Sequence, residues 1–65
     1  MNRIKEIRER VGITQLELAQ RASVSQPYMH DLENNKRGAK RETMNRIAEV
    51  LNVEPGELIA KDESA

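Results

Sequence analysis

Residues 14–34 read TQLELAQRASVSQPYMHDLEN, and this stretch decides the fold because it carries the start signals of two short helices. Thr14 followed by Glu17 forms a capping box, in which the hydroxyl accepts from the amide of Glu17 and the carboxylate accepts from the amide of Thr14. Ile13 and Leu18 stand at the spacing of a hydrophobic staple. A helix over residues 15–22 is therefore predicted. We expect its inward face to comprise Leu16, Leu18 and Ala19.

A second helix is predicted after a turn at residues 22–24. Ser25 is its N-cap, and Pro27 is tolerated in its first turn because the missing amide has no partner there. The helix is expected over residues 26–34, ending at Asn34, since Asn enters the left-handed conformation more readily than most residues. Its buried edge should comprise Val24, Met29 and Leu32. Its opposite, polar face comprises Gln26, Pro27, His30, Asp31 and Asn34.

Amphipathic patterns on either side predict three further helices. The first carries Ile4, Ile7 and Val11 at helical spacing and ends at Gly12. Another covers residues 41–51, and a last short helix is signalled by Pro55 in its first turn. The inner stripe of helix 41–51 comprises Met44, Ile47, Ala48 and Leu51. The prediction is an all-α, five-helix domain over residues 1–60, followed by a polar tail at 61–65 that frays.

Composition restricts the classes of function. The 65 residues form one small domain, contain no cysteine and carry no apolar run long enough for a membrane span, which points to a cytoplasmic protein. The single histidine, His30, leaves a metal site without a second imidazole. No nucleophile and base stand in a triad pattern, and there is no glycine-rich phosphate loop. We therefore expect neither an enzyme nor a bound cofactor.

The charge balance is the main argument against a nucleic-acid partner. Eleven basic residues balance eleven acidic ones, whereas nucleic-acid binders are usually basic. The basic residues are nevertheless concentrated in one stretch. Within residues 34–46, Glu42 alone opposes the cationic side chains of Lys36, Arg37, Lys40, Arg41 and Arg46. A net charge of zero can therefore conceal a basic face.

Two capped helices joined by a short turn make a helix-turn-helix motif. The segments TQLELAQRA, VSQPYMHDLEN and IAEVLNVEPGELI resemble the five-helix DNA-binding domains of the phage-repressor and Cro type, the lambda-repressor-like fold. The resemblance extends from about residue 3 to residue 59. It is specific because many positions match the family pattern together. These are Gln15, Ala19, Ser25, Leu32, Glu33, Ala48, Leu51 and Leu58.

The resemblance implies that the second helix of the motif is a recognition helix lying in the major groove of DNA. It assigns base reading to Gln26, Pro27, His30 and Asp31, with His30 reaching either a base or a phosphate. It assigns phosphate contacts to Gln15, Ser25, Tyr28, Asn34, Lys36, Lys40 and Arg41. For Tyr28, packing on the edge of the core is an equally open alternative. Arg8 and Glu33 match a pair that the family joins by a salt bridge between its first and third helices.

Several positions depart from the family pattern. Ser23 stands where glycine is usual in the turn, so either its φ is positive, at a cost of roughly a kcal/mol, or the turn has another shape. Asn35 replaces glycine after the third helix, which is a milder change. Ala39 and Lys40 leave the fourth helix without a good N-cap. The carboxylate of Asp31 raises the cost of approaching phosphate.

These features predict a sequence-specific regulator of transcription that binds double-stranded DNA. A repressor acting as a homodimer on a palindromic operator is expected, because one such domain reads only a few base pairs. The dimer contact is expected in the region of the fifth helix, with Val53, Leu58 and Ile59 as candidates. Two alternatives stay open. One is a protein-interaction module, such as an antitoxin or the partner of a regulator, that uses the same helical face; the other is a nonspecific DNA-binding fragment of a longer regulator.

Overall fold

A computed structural model of the chain describes residues 2–59, and these form a helical array. Four α-helices are followed by one turn of 3-10 helix. Their bounds are α1 Ile4–Val11, α2 Gln15–Arg21, α3 Gln26–Glu33, α4 Arg41–Leu51 and the 3-10 helix Pro55–Leu58. No helix in this part of the chain is long and apolar enough to cross a membrane. The tail predicted to fray at 61–65 lies outside the described residues.

The last predicted helix is a 3-10 turn, so five α-helices are not confirmed. After Pro55–Leu58 the backbone becomes extended at Ile59, with φ −98° and ψ 127°. Ile59 forms an isolated antiparallel bridge with Asn2, and the amide of Arg3 donates to the carbonyl of Leu58 at 2.7 Å. The chain leaves the helical conformation here to pair with its own N-terminal segment, which leaves room for a single tight turn.

The predicted capping box at the start of α2 is confirmed. The hydroxyl of Thr14 accepts from the amide of Glu17 at 3.0 Å, and the carboxylate of Glu17 accepts from the amide of Thr14 at 3.1 Å. That backbone donor holds the pKa of Glu17 below its ordinary value. Ser25 likewise caps α3, since its hydroxyl accepts from the amide of Tyr28 at 3.2 Å. Local side-chain chemistry thus fixes where both helices of the motif begin.

One apolar core joins the four helices and the 3-10 turn. Small residues lie where α2 meets α3: Ala19 and Ala22 are almost wholly buried, which allows the two helices to approach closely. Met44 and Val24 are partly buried at its edge. The fully or nearly fully buried apolar side chains are Ile4, Ile7, Leu18, Ala19, Ala22, Met29, Leu32, Ile47, Ala48, Leu51 and Leu58.

The expectation that Leu16 faces inward is wrong, because its side chain is 46% exposed. The buried face of α2 is formed by Leu18 and Ala19 and continues at Ala22 after the helix. At about 100° per residue, Leu16 lies roughly a third of a turn away from the middle of that face. The sequence marks an apolar face on α2, but the core covers only part of it.

Val11 is also exposed, at 48%, although it continues the apolar spacing of α1. It is the last residue of α1, and the chain turns at Gly12, where φ is 92°. Ile13 packs against the core just beyond this turn. The guanidinium of Arg8 donates to the carbonyl of Ile13 at 2.9 Å and thereby fixes the turn.

Asn2 makes a structural contact that the sequence pattern did not indicate. Its side-chain oxygen accepts from the amide of Ile4 at 3.0 Å and so satisfies the first amide of α1, whose N-cap residue is Arg3. Its side-chain nitrogen donates to the carbonyl of Leu32 at 2.7 Å, and its backbone amide donates to the side-chain oxygen of Asn35 at 3.1 Å. The beginning of the chain therefore holds the end of α3 in place.

The turn between α2 and α3 contains a strained residue. Ser23 has a φ of +61°, so the turn keeps the positive φ that glycine would adopt there. Asn35 and Asn52 also have positive φ, of 61° and 58°. Asparagine enters this region with less strain than serine does. Ser23 is therefore the position of the turn at which glycine would relieve the most strain.

Replacing Ser23 by glycine should raise the free energy of unfolding by about 0.5 kcal/mol, since the relieved strain exceeds the added chain entropy of glycine. Asn52→Gly is the matched control, and we expect a smaller gain from it. Urea titration followed by circular dichroism measures both. A Ser23→Gly variant no more stable than wild type would show that the turn holds no strain that glycine can release.

Candidate nucleic-acid interface

The helix-turn-helix geometry presents one polar face of α3 to solvent. Met29, Leu32 and Glu33 are buried on the inner side of this helix. Gln26, Pro27 and His30 are exposed, and Asp31 is half-buried. At about 100° per residue, these four exposed or half-buried residues span roughly 140° of the helix circumference. The structure thus brings the residues predicted to read bases together on one continuous face.

Polar contacts already constrain part of this face. His30 Nδ1 lies 3.8 Å from the nearer carboxylate oxygen of Asp31, and both side chains remain substantially accessible. The side-chain nitrogen of Asn34 donates to the carbonyl of His30 at 2.7 Å. This bond satisfies a carbonyl near the end of α3. It uses one of the two N–H groups of the Asn34 side chain and leaves the other for an outside partner.

A buried ion pair holds α3 against α1. Arg8 donates to the carboxylate of Glu33 through Nε at 2.6 Å and through Nη2 at 3.2 Å. The side chains of Arg8 and Glu33 are only 12% and 1% exposed. Two parallel donors on one carboxylate fix orientation as well as distance. Rotation of α3 about its axis is therefore restrained by a contact at its last residue, on the buried side of the helix.

Gln15, at the start of α2, joins the same network, which the sequence did not suggest. Its side-chain nitrogen donates to the Glu33 carboxylate at 3.1 Å. Gln15 is half-buried. One of its two amide N–H groups is used by Glu33, and the other is left for a partner at the surface. The buried pair thus also orients a residue that was predicted to contact phosphate.

Basic side chains follow α3 in the loop that leads to α4 and at Arg41, the first residue of α4; we call residues 36–41 the basic loop. Lys36, Arg37, Lys40 and Arg41 are all exposed. Lys40 precedes α4 without a side-chain hydrogen bond to that helix, as its sequence indicated. The loop therefore places a concentration of positive charge next to the end of α3, although the whole chain is neutral.

Arg37 was noted in the sequence only for its charge and was assigned no contact, yet it makes a specific one. Its guanidinium carbon lies 5.3 Å from the centre of the Tyr28 ring. Tyr28 is half-buried and packs against the core, while Ser25 at the start of α3 is exposed. Packing of Tyr28 is thus present in the structure, and a cation lies on its ring. The sequence signal for this pair was only the charge of the loop.

The residues predicted to form a dimer contact differ in accessibility. Leu58 is fully buried in the core, so it cannot contribute to a contact between subunits. Ile59 is 56% exposed, and Val53 is partly buried. Ile59 and Ala39 both line a surface cavity of about 330 Å³ beside the start of α4. An apolar surface is therefore present here, formed by residues other than Leu58.

Acidic and histidine side chains are dispersed over the described part of the chain. Within residues 2–59, no group of three or more His, Asp or Glu side chains is arranged to hold a metal ion. One surface cavity lies between the N-terminal segment, the end of α3 and the loop before α4, and another lies between the start of α4 and the 3-10 turn. The prominent polar feature is the face of α3 with the basic loop beside it.

Comparison with known proteins adds a family match. A family model described as a helix-turn-helix domain matches residues 1–64. No curated protein matches the chain. The matched span includes α2, the turn and α3, together with the helices that support them.

Proposed function

The chain belongs to the helix-turn-helix domain family, and from this premise we propose that it is a sequence-specific, double-stranded DNA-binding regulator of transcription. In this proposal α3 reads an operator half-site in the major groove. The observation that carries the proposal is the exposed polar face of α3, which is held in a fixed orientation by Arg8 and Glu33 and flanked by the basic loop.

The side chains on this face suit base edges in the major groove. Gln26 can offer its amide bidentately to adenine, and Asp31 can accept from the amino group of cytosine. Pro27 offers an apolar surface to a thymine methyl. His30 is accessible to either a base or a phosphate. Their contacts would supply sequence preference rather than the bulk of the affinity.

Phosphate contacts would supply the electrostatic part of binding. The proposed donors lie at the starts of α2 and α3 and in the basic loop, so they border the reading face on both sides. Gln15 is already oriented in the free protein, because its amide donates to the buried carboxylate of Glu33. The full set is Gln15, Ser25, Asn34, Lys36, Lys40 and Arg41. Of the two roles that the sequence left open for Tyr28, we adopt packing against the core rather than phosphate contact.

We further propose that the protein is a cytoplasmic repressor of the phage-repressor and Cro type and that it binds a palindromic operator as a homodimer. A single α3 reads too few base pairs for useful specificity, so two half-sites one helical turn apart are required. Ile59, with Val53 near it in sequence, offers the apolar surface for a subunit contact. The buried Leu58 has no part in it.

The competing proposal is a protein-interaction module, such as an antitoxin or the partner of a regulator. Its support is the net charge of zero, which is unusual for a DNA-binding protein. The concentration of cations in the loop after α3 favours the DNA-binding proposal, because local potential, rather than total charge, attracts a phosphate backbone.

Selection from a random pool of duplexes tests the proposed function directly. The wild-type protein should enrich palindromic sites spanning about 20 base pairs at low salt. Sedimentation of the complex should give two chains per palindrome. The isolated half-site should bind much more weakly. Absence of any enriched sequence would eliminate the DNA-reading proposal and leave the protein-interaction module and the nonspecific DNA-binding fragment. Full affinity for a half-site by one chain would refute the homodimer.

A further inference from the structure

Tyr28 is a fixed platform at the side of the reading face. It occupies the third position of α3, and its amide is held by the N-cap hydroxyl of Ser25 at 3.2 Å. Its ring is half-buried against the apolar core. With about 100° per residue, Tyr28 lies roughly 60° beyond Asp31 around the helix. The ring therefore borders the face that would enter the major groove.

Arg37 lies on this platform. Its guanidinium carbon is 5.3 Å from the ring centre, which is within the range of a cation–π interaction. Arg37 is exposed, and no carboxylate of the described residues lies within 4.0 Å of its guanidinium nitrogens. Contact with a ring uses the face of the guanidinium and leaves the N–H groups at its edge available. An unneutralised, pre-oriented set of donors results.

We propose that Arg37 binds a DNA phosphate and that Tyr28 is its positioning residue, acting through the ring rather than through a hydroxyl contact with DNA. The proposal rests on the proposed function, because it places Arg37 where the sugar–phosphate backbone would run beside α3. A guanidinium fits a phosphate with two parallel N–H donors. Holding it in place before binding reduces the entropy lost when the contact forms.

The contact between Arg37 and the Tyr28 ring can be measured in the free protein. The ring current of Tyr28 should shift the δ protons of Arg37 upfield in the NMR spectrum. Tyr28→Phe should retain this shift because it retains the ring. If Arg37 shows no upfield shift in the wild-type protein, the positioning role of Tyr28 is refuted before DNA is added.

The phosphate contact is tested by the salt dependence of binding to a fluorescent duplex of mixed sequence, about 20 base pairs long. Arg37→Ala should reduce the slope of log affinity against log salt by about 0.9, equivalent to about an eightfold loss of affinity at 0.1 M salt. Arg10→Ala is the control, since Arg10 is 66% exposed on α1 and paired with Glu6. It should leave the slope unchanged.

The role of the ring is tested by comparing two variants of Tyr28. Tyr28→Phe should bind DNA with the affinity and salt dependence of the wild-type protein, whereas Tyr28→Leu should bind more weakly. Adding Arg37→Ala to Tyr28→Leu should cause little further loss of affinity. Circular dichroism confirms folding in each case. Loss of affinity in Tyr28→Phe would show a direct hydroxyl contact and would overturn the positioning role, and this comparison stands even if Tyr28→Leu does not fold.

Failure of this inference is distinguishable from failure of the proposed function. If wild type binds DNA with a steep salt dependence and Arg37→Ala keeps the full slope, Arg37 is not a phosphate ligand, while the proposed function is untouched. If the wild-type protein shows no DNA binding at low salt, both proposals are lost together.

Discussion

Replacing Arg8 by alanine should lower the free energy of unfolding by about 3–5 kcal/mol, the cost of removing one partner from a buried ion pair. The Glu33 carboxylate, whose side chain is 1% exposed, would stay in the interior with Gln15 as its remaining side-chain donor. The carbonyl of Ile13 would lose the guanidinium as well. In a domain of this size such a loss is a large part of the total stability.

Urea denaturation followed by circular dichroism gives the comparison, with Arg10→Ala as the matched control. Arg10 stands on the same helix and is paired with Glu6, but the two side chains are 66% and 54% exposed. Exposed pairs contribute about 0–1 kcal/mol, so the control should stay near wild type. Equal effects of the two substitutions would mean that the Arg8 pair behaves as a surface contact.

A double substitution separates the electrostatic attraction between Arg8 and Glu33 from the desolvation cost of burying both charges. Arg8→Met combined with Glu33→Leu removes both charges and keeps similar volume, so it should be more stable than Arg8→Ala. DNA binding by this variant would then show whether the pair is needed to orient α3 and Gln15. The comparison is informative because a buried ion pair is weak evidence for stability, whereas two parallel donors on one carboxylate fix its orientation.

Local signals explain why the central motif could be predicted from sequence. Thr14 with Glu17, and Ser25 with the amide of Tyr28, specify helix starts through contacts between residues three apart. The structure has both starts where these residues place them, and the ends differ from the prediction by one residue. Capping chemistry depends on neighbours in sequence, and it is therefore readable without the fold.

Contacts between distant residues account for what the sequence did not reveal. Asn2 reaches Leu32 and Asn35, some thirty positions along the chain. Such pairings depend on tertiary packing, which no periodicity encodes. The dependence on tertiary packing also explains why Leu16 was wrongly predicted to face inward. An apolar pattern defines a face of a helix, whereas the neighbouring helices determine how much of that face is covered. The 3-10 turn arose likewise from the pairing of Ile59 with the start of the chain.

The difference between local signals and contacts of distant residues also applies to the candidate site. Helical spacing was enough to place Gln26, Pro27 and His30 on one face, since that follows from the geometry of α3 alone. The link between Gln15 and Glu33, and the position of Arg37 on Tyr28, required the folded chain. Sequence therefore identified which surface faces outward, whereas the structure identified which of its side chains are already oriented.

Gln26→Ala should weaken binding to the selected operator by about 1–3 kcal/mol, or about five- to 150-fold, while leaving binding to a mixed-sequence duplex unchanged. Gln26 is the first residue of α3 and is exposed, so truncating it should alter stability by no more than about 0.5 kcal/mol. Fluorescence anisotropy on both duplexes at one salt concentration measures the difference.

Gln20→Ala supplies the control for this prediction, because Gln20 is an exposed glutamine on α2 to which no DNA contact is assigned. If Gln26 reads a base, its truncation should also relax the preference at a single position of the site, which a repeat of the selection would show. Equal weakening on operator and mixed-sequence DNA would instead make Gln26 a phosphate ligand. Unchanged binding to both would make it a solvated helix residue, and base reading would then fall to Pro27, His30 and Asp31.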